Sequence, residues 1–375
     1  MIHIILFVIT ISISVFSPKV HAVKSCSESG HTLRRPLISD VPTSGHFKLY
    51  FEVNKNFNPN YPTTLAIYDG QQPTDIRGLA EESKLKYYNN ENINIVFVQY
   101  RGIFCSKFPA QIEQDQVTPF LSNEAIEDFE AVRRELLGNS KWMIVGGSGG
   151  ALLALQYLAK YPNSVSKAFV STPPVPGEIG GRFERESTAH ALELNGLYGW
   201  LDPLSPRDRS SFAWILNRIG YDEIIFSPDS LIEFKKALKG NNKAKDKLLK
   251  AYGDIFSVSK EINKNSAVGI RLAEVFSKAH VSMALRYALD PIIPHWNERT
   301  DLALDANKIV QALEKNTVPV LITGGLYDHV VPTEHLNFWH SHIGNSTLKM
   351  FPTTHTMKGY MDELRSLRKD FLLGH

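Results

Sequence analysis

A serine enclosed by glycines stands between a strand-like and a helix-like segment. The run Gly146-Gly-Ser148-Gly149-Gly150 lies at the junction between the strand-like segment 141–146 and a helical pattern over 150–161. In a G-x-S-x-G turn of this kind, the outer glycines let strand and helix approach closely, and the serine hydroxyl is lifted above the sheet. The N–H of Gly149 would lie beside that hydroxyl and could hold an oxyanion. A glycine-rich phosphate loop is the alternative, but the lysine or spaced acidic residue it needs is absent from the sequence.

A serine hydroxyl becomes a good nucleophile when a neighbouring base takes its proton. Two candidate partners follow strand-like segments late in the chain, Asp328 and then His355. The order Ser…Asp…His is that of α/β-hydrolase triads. We predict that Ser148 attacks, that His355 acts as general base and then general acid, and that Asp328 orients the imidazole. Asp301 and Asp305 are rival acids, but neither directly follows a strong strand.

Other histidines lie in the same part of the chain. His329 follows the predicted acid, and we expect His335, His340 and His342 to lie on the surface of a helix. A metal site there is disfavoured because further ligands are not evident in the sequence. The predicted reaction needs no metal and no organic cofactor.

The three predicted catalytic residues must be positioned by a regular framework of strands and helices. Strand patterns cover residues 46–53, 64–68, 93–100, 141–146, 166–171, 318–323 and 347–351, and helical patterns cover 123–137, with Ser122 as N-cap, 150–161 and 357–373. Such alternation predicts an α/β fold with a mostly parallel central sheet and helices on both faces. Ligands bind at the carboxyl ends of the strands in such sheets, where all three residues would lie.

The alternation of strands and helices is lost between residues 173 and 300. A structureless loop of that length is improbable in a globular domain. We therefore predict a helical cap over 174–299, inserted into a hydrolase core formed by 23–173 and 300–375. The lysine-rich stretch 235–250 is interpreted as a solvated helix face, because it lacks interleaved aromatic residues and the chain carries a formal charge of only +2. No nucleic-acid partner is expected.

The N-terminus resembles an export signal. A short apolar run is followed by Val20-His-Ala22, which suits cleavage after Ala22, so residues 1–22 are predicted to be a signal peptide. A retained N-terminal anchor is the alternative. No other segment is apolar and long enough to span a bilayer, and the mature protein is expected to be periplasmic or secreted.

In an oxidising compartment the two cysteines, Cys26 and Cys105, would form a disulfide; two unpaired thiols are the alternative.

The motifs together resemble the proline iminopeptidase branch of the α/β-hydrolases. Residues 47–53 resemble that family's opening strands, and Gln99-Tyr-Arg-Gly102 resembles its Asp-Gln-Arg-Gly loop. Ser148, Asp328 and His355 fall where the family places its triad. The resemblance therefore implies an enzyme that removes N-terminal residues from peptides.

The resemblance also implies roles for two further residues. The family's oxyanion loop reads His-Gly-Gly-Pro-Gly, and here residues 68–72 read Tyr-Asp-Gly-Gln-Gln, so that Gly70 matches the position of the second backbone donor. The cap stretch 270–276 resembles a family segment whose glutamate holds the free amine of the substrate, which implies substrate binding by Glu274. The alternative is that Glu274 is a solvated helix residue.

Three functions are consistent with these residues. The first is an exo-acting aminopeptidase of proline iminopeptidase type, and the second is a carboxylic-ester hydrolase of esterase or lipase type; the substrate is then a small peptide or an ester. The third is a non-catalytic binding protein that keeps the hydrolase fold. The intact Ser–Asp–His order argues against the third.

Overall fold

Eight strands form a single sheet in the computed structural model of the protein. The structure describes residues 25–26, 30–68, 71, 74–88, 91–109, 117–194, 198–222, 228–253, 256, 266–276, 288 and 300–374, so the predicted signal peptide lies outside the described residues. The strands are β1 (His31–Ile38), β2 (Val41–Val53), β3 (Thr63–Ile67), β4 (Asn94–Val98), β5 (Trp142–Gly147), β6 (Val165–Ser171), β7 (Val320–Gly325) and β8 (Ser346–Phe351). Their order across the sheet is β1-β2-β4-β3-β5-β6-β7-β8.

The sheet is parallel from β4 to β8 and antiparallel at β1 and β2. Successive side chains of a strand point to opposite faces. Ile95 and Met143 accordingly pack in one apolar cluster, while Val96 and Ile144 pack in the cluster on the other face. Because both faces are covered, the central strands are apolar at nearly every position.

Twelve helices occur in the described residues. They are α1 (Leu79–Tyr88), α2 (Ser122–Leu137), α3 (Gly149–Lys160), α4 (Gly177–Leu194), α5 (Tyr198–Leu201), α6 (Pro206–Asp222), α7 (Pro228–Leu238), α8 (Asn242–Tyr252), α9 (Ser266–Val275), α10 (Ala306–Leu313), α11 (Thr333–His342) and α12 (Met361–Leu373). Helices α1 and α12 cover one face of the sheet, and α2, α3, α10 and α11 lie on the other. The predicted fold class is confirmed.

Several helix boundaries differ from the prediction, and α3 runs over Gly149–Lys160 and not over 150–161. Helix α2 begins at Ser122 itself, and Leu121 is its N-cap without a side-chain hydrogen bond. Helix α12 begins at Met361 and not at Met357, because Met357 and Gly359 both have positive φ angles (56° and 85°) that a right-handed helix excludes. Strand β1 and helix α1 were not predicted.

Most of the described residues between β6 and β7 are helical. Helices α4 to α10 lie here, and an isolated β-bridge joins Gly177 to Phe276 in the described part of this stretch. The middle of the stretch has its own apolar cluster, which includes Phe212, Leu216 and Phe234. Among the described residues, no helix is both long and apolar enough to cross a membrane.

A disulfide joins the start of the described chain to the loop after β4. Cys26 Sγ and Cys105 Sγ are 2.00 Å apart, and the two residues are separated by 79 positions. Cys105 lies in a short 3₁₀ turn whose Ser106 Oγ accepts a hydrogen bond from the backbone N–H of Tyr50 (2.9 Å). The disulfide therefore fixes the N-terminal segment beside β2 and β4.

Reduction of this disulfide is expected to lower the free energy of unfolding by about 2–4 kcal/mol, because the closed loop restricts the unfolded chain. Urea unfolding of the wild type with and without dithiothreitol measures the effect. The double variant Cys26→Ser/Cys105→Ser is the control. Its urea midpoint should equal that of the reduced wild type and should not change when dithiothreitol is added. Equal midpoints for the oxidised and reduced wild type would contradict the expectation.

Candidate active site

Ser148 occupies the sharp turn between β5 and α3. Its φ and ψ angles are 52° and −126°, in a region that non-glycine residues rarely adopt. The turn is held by a hydrogen bond from the Ser148 N–H to Ser171 O on β6 (2.8 Å) and by one from Ala151 N to Ser148 O (2.9 Å). Strain of this kind persists only where the surrounding structure imposes it, and it is typical of functional sites.

The glycines beside the serine allow the turn to close. A β-carbon at position 146 would lie 2.3 Å from the carbonyl oxygen of Gly150, which is far inside contact distance. Gly149 is the first residue of α3, where helical N–H groups have no acceptor within the helix. That N–H is therefore suited to hold an oxyanion. The second predicted donor, Gly70, lies outside the described residues.

Asp328 and His355 form a hydrogen-bonded pair. Asp328 is 3% exposed, and its Oδ2 lies 2.7 Å from His355 Nδ1. The other oxygen, Oδ1, accepts hydrogen bonds from the backbone N–H groups of Val330 (2.8 Å) and Val331 (2.9 Å). An ionised carboxylate only accepts hydrogen bonds, so the Nδ1 of His355 carries the proton and Nε2 is left free to act as a base.

Close backbone contact brings the two loops together. A β-carbon on Gly325, the last residue of β7, would lie 2.4 Å from Thr353 O. Hydrogen bonds cross between the loops from Leu326 N to Phe351 O (2.8 Å) and from Tyr327 N to Thr353 O (3.0 Å). The glycine that ends β7 thus sets the separation of the aspartate and histidine loops.

The three predicted catalytic residues share one edge of the sheet. They follow the carboxyl ends of β5, β7 and β8, which run parallel to one another through β6. The pair Asp328–His355 is hydrogen-bonded, whereas no hydrogen bond joins the described side chains of Ser148 and His355. Catalytic hydrogen bonds often tighten only when substrate is bound.

Glu274 on α9 is buried against the start of α2. Its carboxylate accepts hydrogen bonds from Ser122 N (3.0 Å) and Ser122 Oγ (2.8 Å) at the start of α2, and from Arg271 Nη1 (3.3 Å). Arg271 Nη2 also donates to Gly149 O (3.4 Å). Burial raises the pKa of Glu274, while Arg271 and Ser122 oppose that rise. The alternative that Glu274 is a solvated residue is wrong, since it is 2% exposed.

Arg101, from the segment that resembles the family's Asp-Gln-Arg-Gly loop, is fully buried. Its Nε and Nη2 donate to both carboxylate oxygens of Asp128 (2.8 and 3.0 Å), and its Nη1 donates to the carbonyls of Leu37 and Pro119. These contacts tie β1 to α2. These contacts indicate that Arg101 has a structural role.

The prediction that His335 lies on a surface is wrong. His335 is 3% exposed; its Nδ1 accepts a hydrogen bond from Val175 N (2.8 Å), and its ring packs edge-on against Phe183. Burial lowers the pKa of His335 from 6.5 to about 3. The signal for burial was present in the sequence, since His335 and the buried Trp339 are four residues apart on one helix face.

Among the described residues no cluster of His, Cys, Asp and Glu could hold a metal ion.

The buried His335 is expected to make the fold sensitive to acid. A depressed pKa in the folded state contributes stability that is fully present above pH 6.5 and is lost as the pH falls toward about 3. The free energy of unfolding should fall by about 1.4 kcal/mol per pH unit from this group within that window. In His335→Asn, whose side-chain oxygen can replace Nδ1 as acceptor, the slope should be shallower.

Urea midpoints at pH steps from 7 to 4.5 measure this slope for the wild type and His335→Asn. His340→Asn is the matched control, because His340 is exposed on the same helix and should leave the slope unchanged. Parallel profiles for wild type and His335→Asn would show that His335 is not responsible.

The fold and this site are those of a hydrolase. Residues 74–357 match the family described as alpha/beta hydrolase fold, which is more than half of the chain, and the chain belongs to that family. The resemblance to proline iminopeptidases is confirmed by a curated relative from Mycoplasma genitalium named "Putative proline iminopeptidase", which is 31% identical over 113 residues. That match covers 30% of this chain and 33% of the relative's length.

Solved structures show the same fold. An alpha/beta hydrolase enzyme from a Medee basin deep-sea metagenome library has a TM-score of 0.51 at 15% identity, with 88% of this chain and 95% of that chain covered. The 2-hydroxy-6-oxo-6-phenylhexa-2,4-dienoate hydrolase of Rhodococcus sp. strain RHA1 has a TM-score of 0.50 at 13% identity, with 92% and 100% covered. At these identities the likeness concerns the fold alone.

Proposed function

We propose that the chain is a serine hydrolase that works through an acyl-enzyme, and that it removes N-terminal residues from small peptides in the manner of a proline iminopeptidase. The observation that supports the chemistry most directly is the 2.7 Å hydrogen bond between Asp328 and His355, set on the same sheet edge as the strained Ser148. We further propose that the protein is exported to the periplasm or secreted, since its disulfide suits an oxidising compartment.

The proposed reaction has two half-steps. Ser148 Oγ attacks the scissile carbonyl carbon while its proton passes to His355 Nε2, and the oxyanion rests on the N–H groups of Gly149 and Gly70. Collapse breaks the C–N bond, and the leaving amine takes the proton from His355. A water molecule then gives a proton to His355 and attacks the ester carbonyl. His355 returns that proton to Ser148 Oγ as the Ser148–acyl bond breaks and the acid leaves.

A peptide substrate is favoured by the relative's name and by the buried acidic side chain of Glu274. A free N-terminal amine is a cation, and a carboxylate in a buried site is its natural partner. Glu274 is such a carboxylate, and Arg271 connects it to the carbonyl of Gly149, next to the proposed nucleophile. Glu184 on α4 is a second buried carboxylate of the cap, 5% exposed, that the sequence analysis did not single out.

An ester substrate is the second candidate. Large apolar side chains are exposed at the carboxyl ends of two strands, namely Tyr68 after β3 and Leu326 and Tyr327 after β7. Apolar surface of this kind beside a catalytic edge suits an apolar acyl or alkyl group. Glu274 is also already hydrogen-bonded to Ser122 and Arg271, which leaves it less available to an amine.

Three substrates with aromatic leaving groups distinguish these functions. A prolyl arylamide, its N-acetylated form and a short-chain aryl ester are compared with purified wild type. We expect the N-acetylated amide to have a kcat/KM at least about a hundredfold lower than the free amine, because an unpaired buried charge is costly. Equal rates on the two amides together with fast ester hydrolysis would favour the esterase. If folded wild type does not react with a fluorophosphonate, the serine hydrolase proposal fails.

The variant Glu274→Gln tests the amine-binding role. Its ratio of kcat/KM on the free-amine amide to kcat/KM on the ester should fall tenfold or more, since the ester carries no amine. Glu130→Gln is the matched control, because Glu130 is also buried and paired with arginines but lies on α2. A ratio of rates does not depend on the folded fraction. An unchanged ratio in Glu274→Gln would show that Glu274 does not bind the amine and has only a structural role.

A further inference from the structure

The C-terminal end of the cap helix α6 lies against the loop that carries His355. The ring of Tyr221 meets the imidazole of His355 edge to face, with 4.8 Å between ring centroids and 79° between planes. The backbone of the two segments is also joined, since Thr356 N donates to Tyr221 O (3.3 Å). A β-carbon on the neighbouring Gly220 would lie 3.7 Å from His329 Cβ. The cap therefore touches the loops on both sides of the Asp–His pair.

A row of side chains on α6 connects this contact to the interior of the cap. Trp214, Arg218 and Tyr221 are spaced at i, i+4 and i+7, which places them on one helix face. The Arg218 guanidinium lies 4.5 Å from the centroid of the Tyr221 ring and 5.6 Å from that of Trp214. Trp214 Nε1 donates to Tyr252 O at the end of α8 (3.3 Å). The orientation of the Tyr221 ring is thus set by the packing of the cap.

His355 has a demanding orientation in the proposed reaction. Its Nδ1 must keep the hydrogen bond to Asp328 while Nε2 faces Ser148, and a rotation of the imidazole disrupts both. Asp328 holds one edge of the ring. Aromatic pairs prefer the edge-to-face geometry seen here, and a small displacement of a catalytic group can cost up to a hundredfold in rate.

We propose that Tyr221 is a positioning residue for His355, and that α6 thereby couples the placement of the cap to the orientation of the general base. This inference rests on the proposed function. Tyr221 acts through the edge-to-face contact of its ring, and Arg218 acts through Tyr221.

The rate of phosphonylation by a fluorophosphonate tests the proposal, because this reaction needs Ser148 activated by His355 but no peptide recognition by the cap. In Tyr221→Ala we expect the phosphonylation rate and kcat to fall together by about tenfold, while KM changes less than twofold. Tyr221→Phe keeps the ring and should restore both to within twofold of wild type. Arg218→Ala should show a smaller loss in the same direction.

A cap variant that is remote from His355 controls for general loosening of the cap. Phe212→Leu alters the cap cluster, where Phe212 packs edge-on against Phe234, and should leave the phosphonylation rate unchanged. Thermal unfolding identifies any variant that fails to fold. Wild-type phosphonylation rates in a folded Tyr221→Ala would overturn the proposal, as would a loss in Tyr221→Phe equal to that in Tyr221→Ala. Absence of labelling in the wild type would instead refute the proposed function.

Discussion

Ser148→Ala is expected to lower turnover by about six orders of magnitude and to abolish labelling by a fluorophosphonate. The triad works as a unit, so removal of the nucleophile alone costs about as much as removal of all three members. What remains is the contribution of the oxyanion donors and of substrate binding. Turnover of the prolyl arylamide and of the aryl ester, together with gel detection of the probe, measures both effects.

The backbone at residue 148 supplies a control for folding. Alanine keeps the β-carbon, so Ser148→Ala should unfold at nearly the wild-type midpoint. Glycine adopts a φ of 52° without steric cost, and Ser148→Gly should therefore be more stable than wild type by about 1 kcal/mol while equally inactive. Labelling that persists in folded Ser148→Ala would show that another residue is the nucleophile.

Asp328→Asn is expected to lower kcat by about 10⁴-fold with little change in the fold. Asp328 Oδ1 accepts from two backbone N–H groups, and the oxygen of an asparagine would take that place. The amide nitrogen would then face His355 Nδ1 as a donor. The imidazole would have to carry its proton on Nε2, where it can no longer accept the proton of Ser148.

Asp305→Asn is the matched control for this substitution. Asp305 is a rival acid in the sequence, but in the structure its carboxylate accepts from Asn307 N at the start of α10. Its replacement should leave kcat within twofold of wild type. His355→Ala should lose activity by several orders of magnitude, as Ser148→Ala does. A kcat near wild type in Asp328→Asn would exclude Asp328 as the orienting acid.

The sequence predicted the features that depend on local pattern. The apolar strands β3 to β8, the helices α2 and α3, and the position of each predicted catalytic residue after a strand follow from periodicity and turn chemistry. Strand β1 was missed because His31–Ile38 mixes charged residues and a proline with its apolar positions, as an exposed edge strand does.

The remaining features depend on contacts between distant parts of the chain. Glu274 reaches Ser122 across 152 residues, and Tyr221 meets His355 where the end of α6 packs against the loop of His355. Neither contact has a periodic signature, because side-chain identity alone does not specify which loop a helix end will meet. His335 differs in this respect, since its helix face could have been identified from its spacing to Trp339.

The close backbone contacts at Gly146 and Gly325 leave no room for a side chain at either position. At each of them an added methyl group would collide with main-chain carbonyls, which cannot move aside as a flexible side chain can. Substitution at Gly146 would therefore disturb the turn at Ser148, and substitution at Gly325 would push apart the loops of Asp328 and His355. The relative placement of the proposed nucleophile, acid and base thus depends on two positions that leave no room for a side chain.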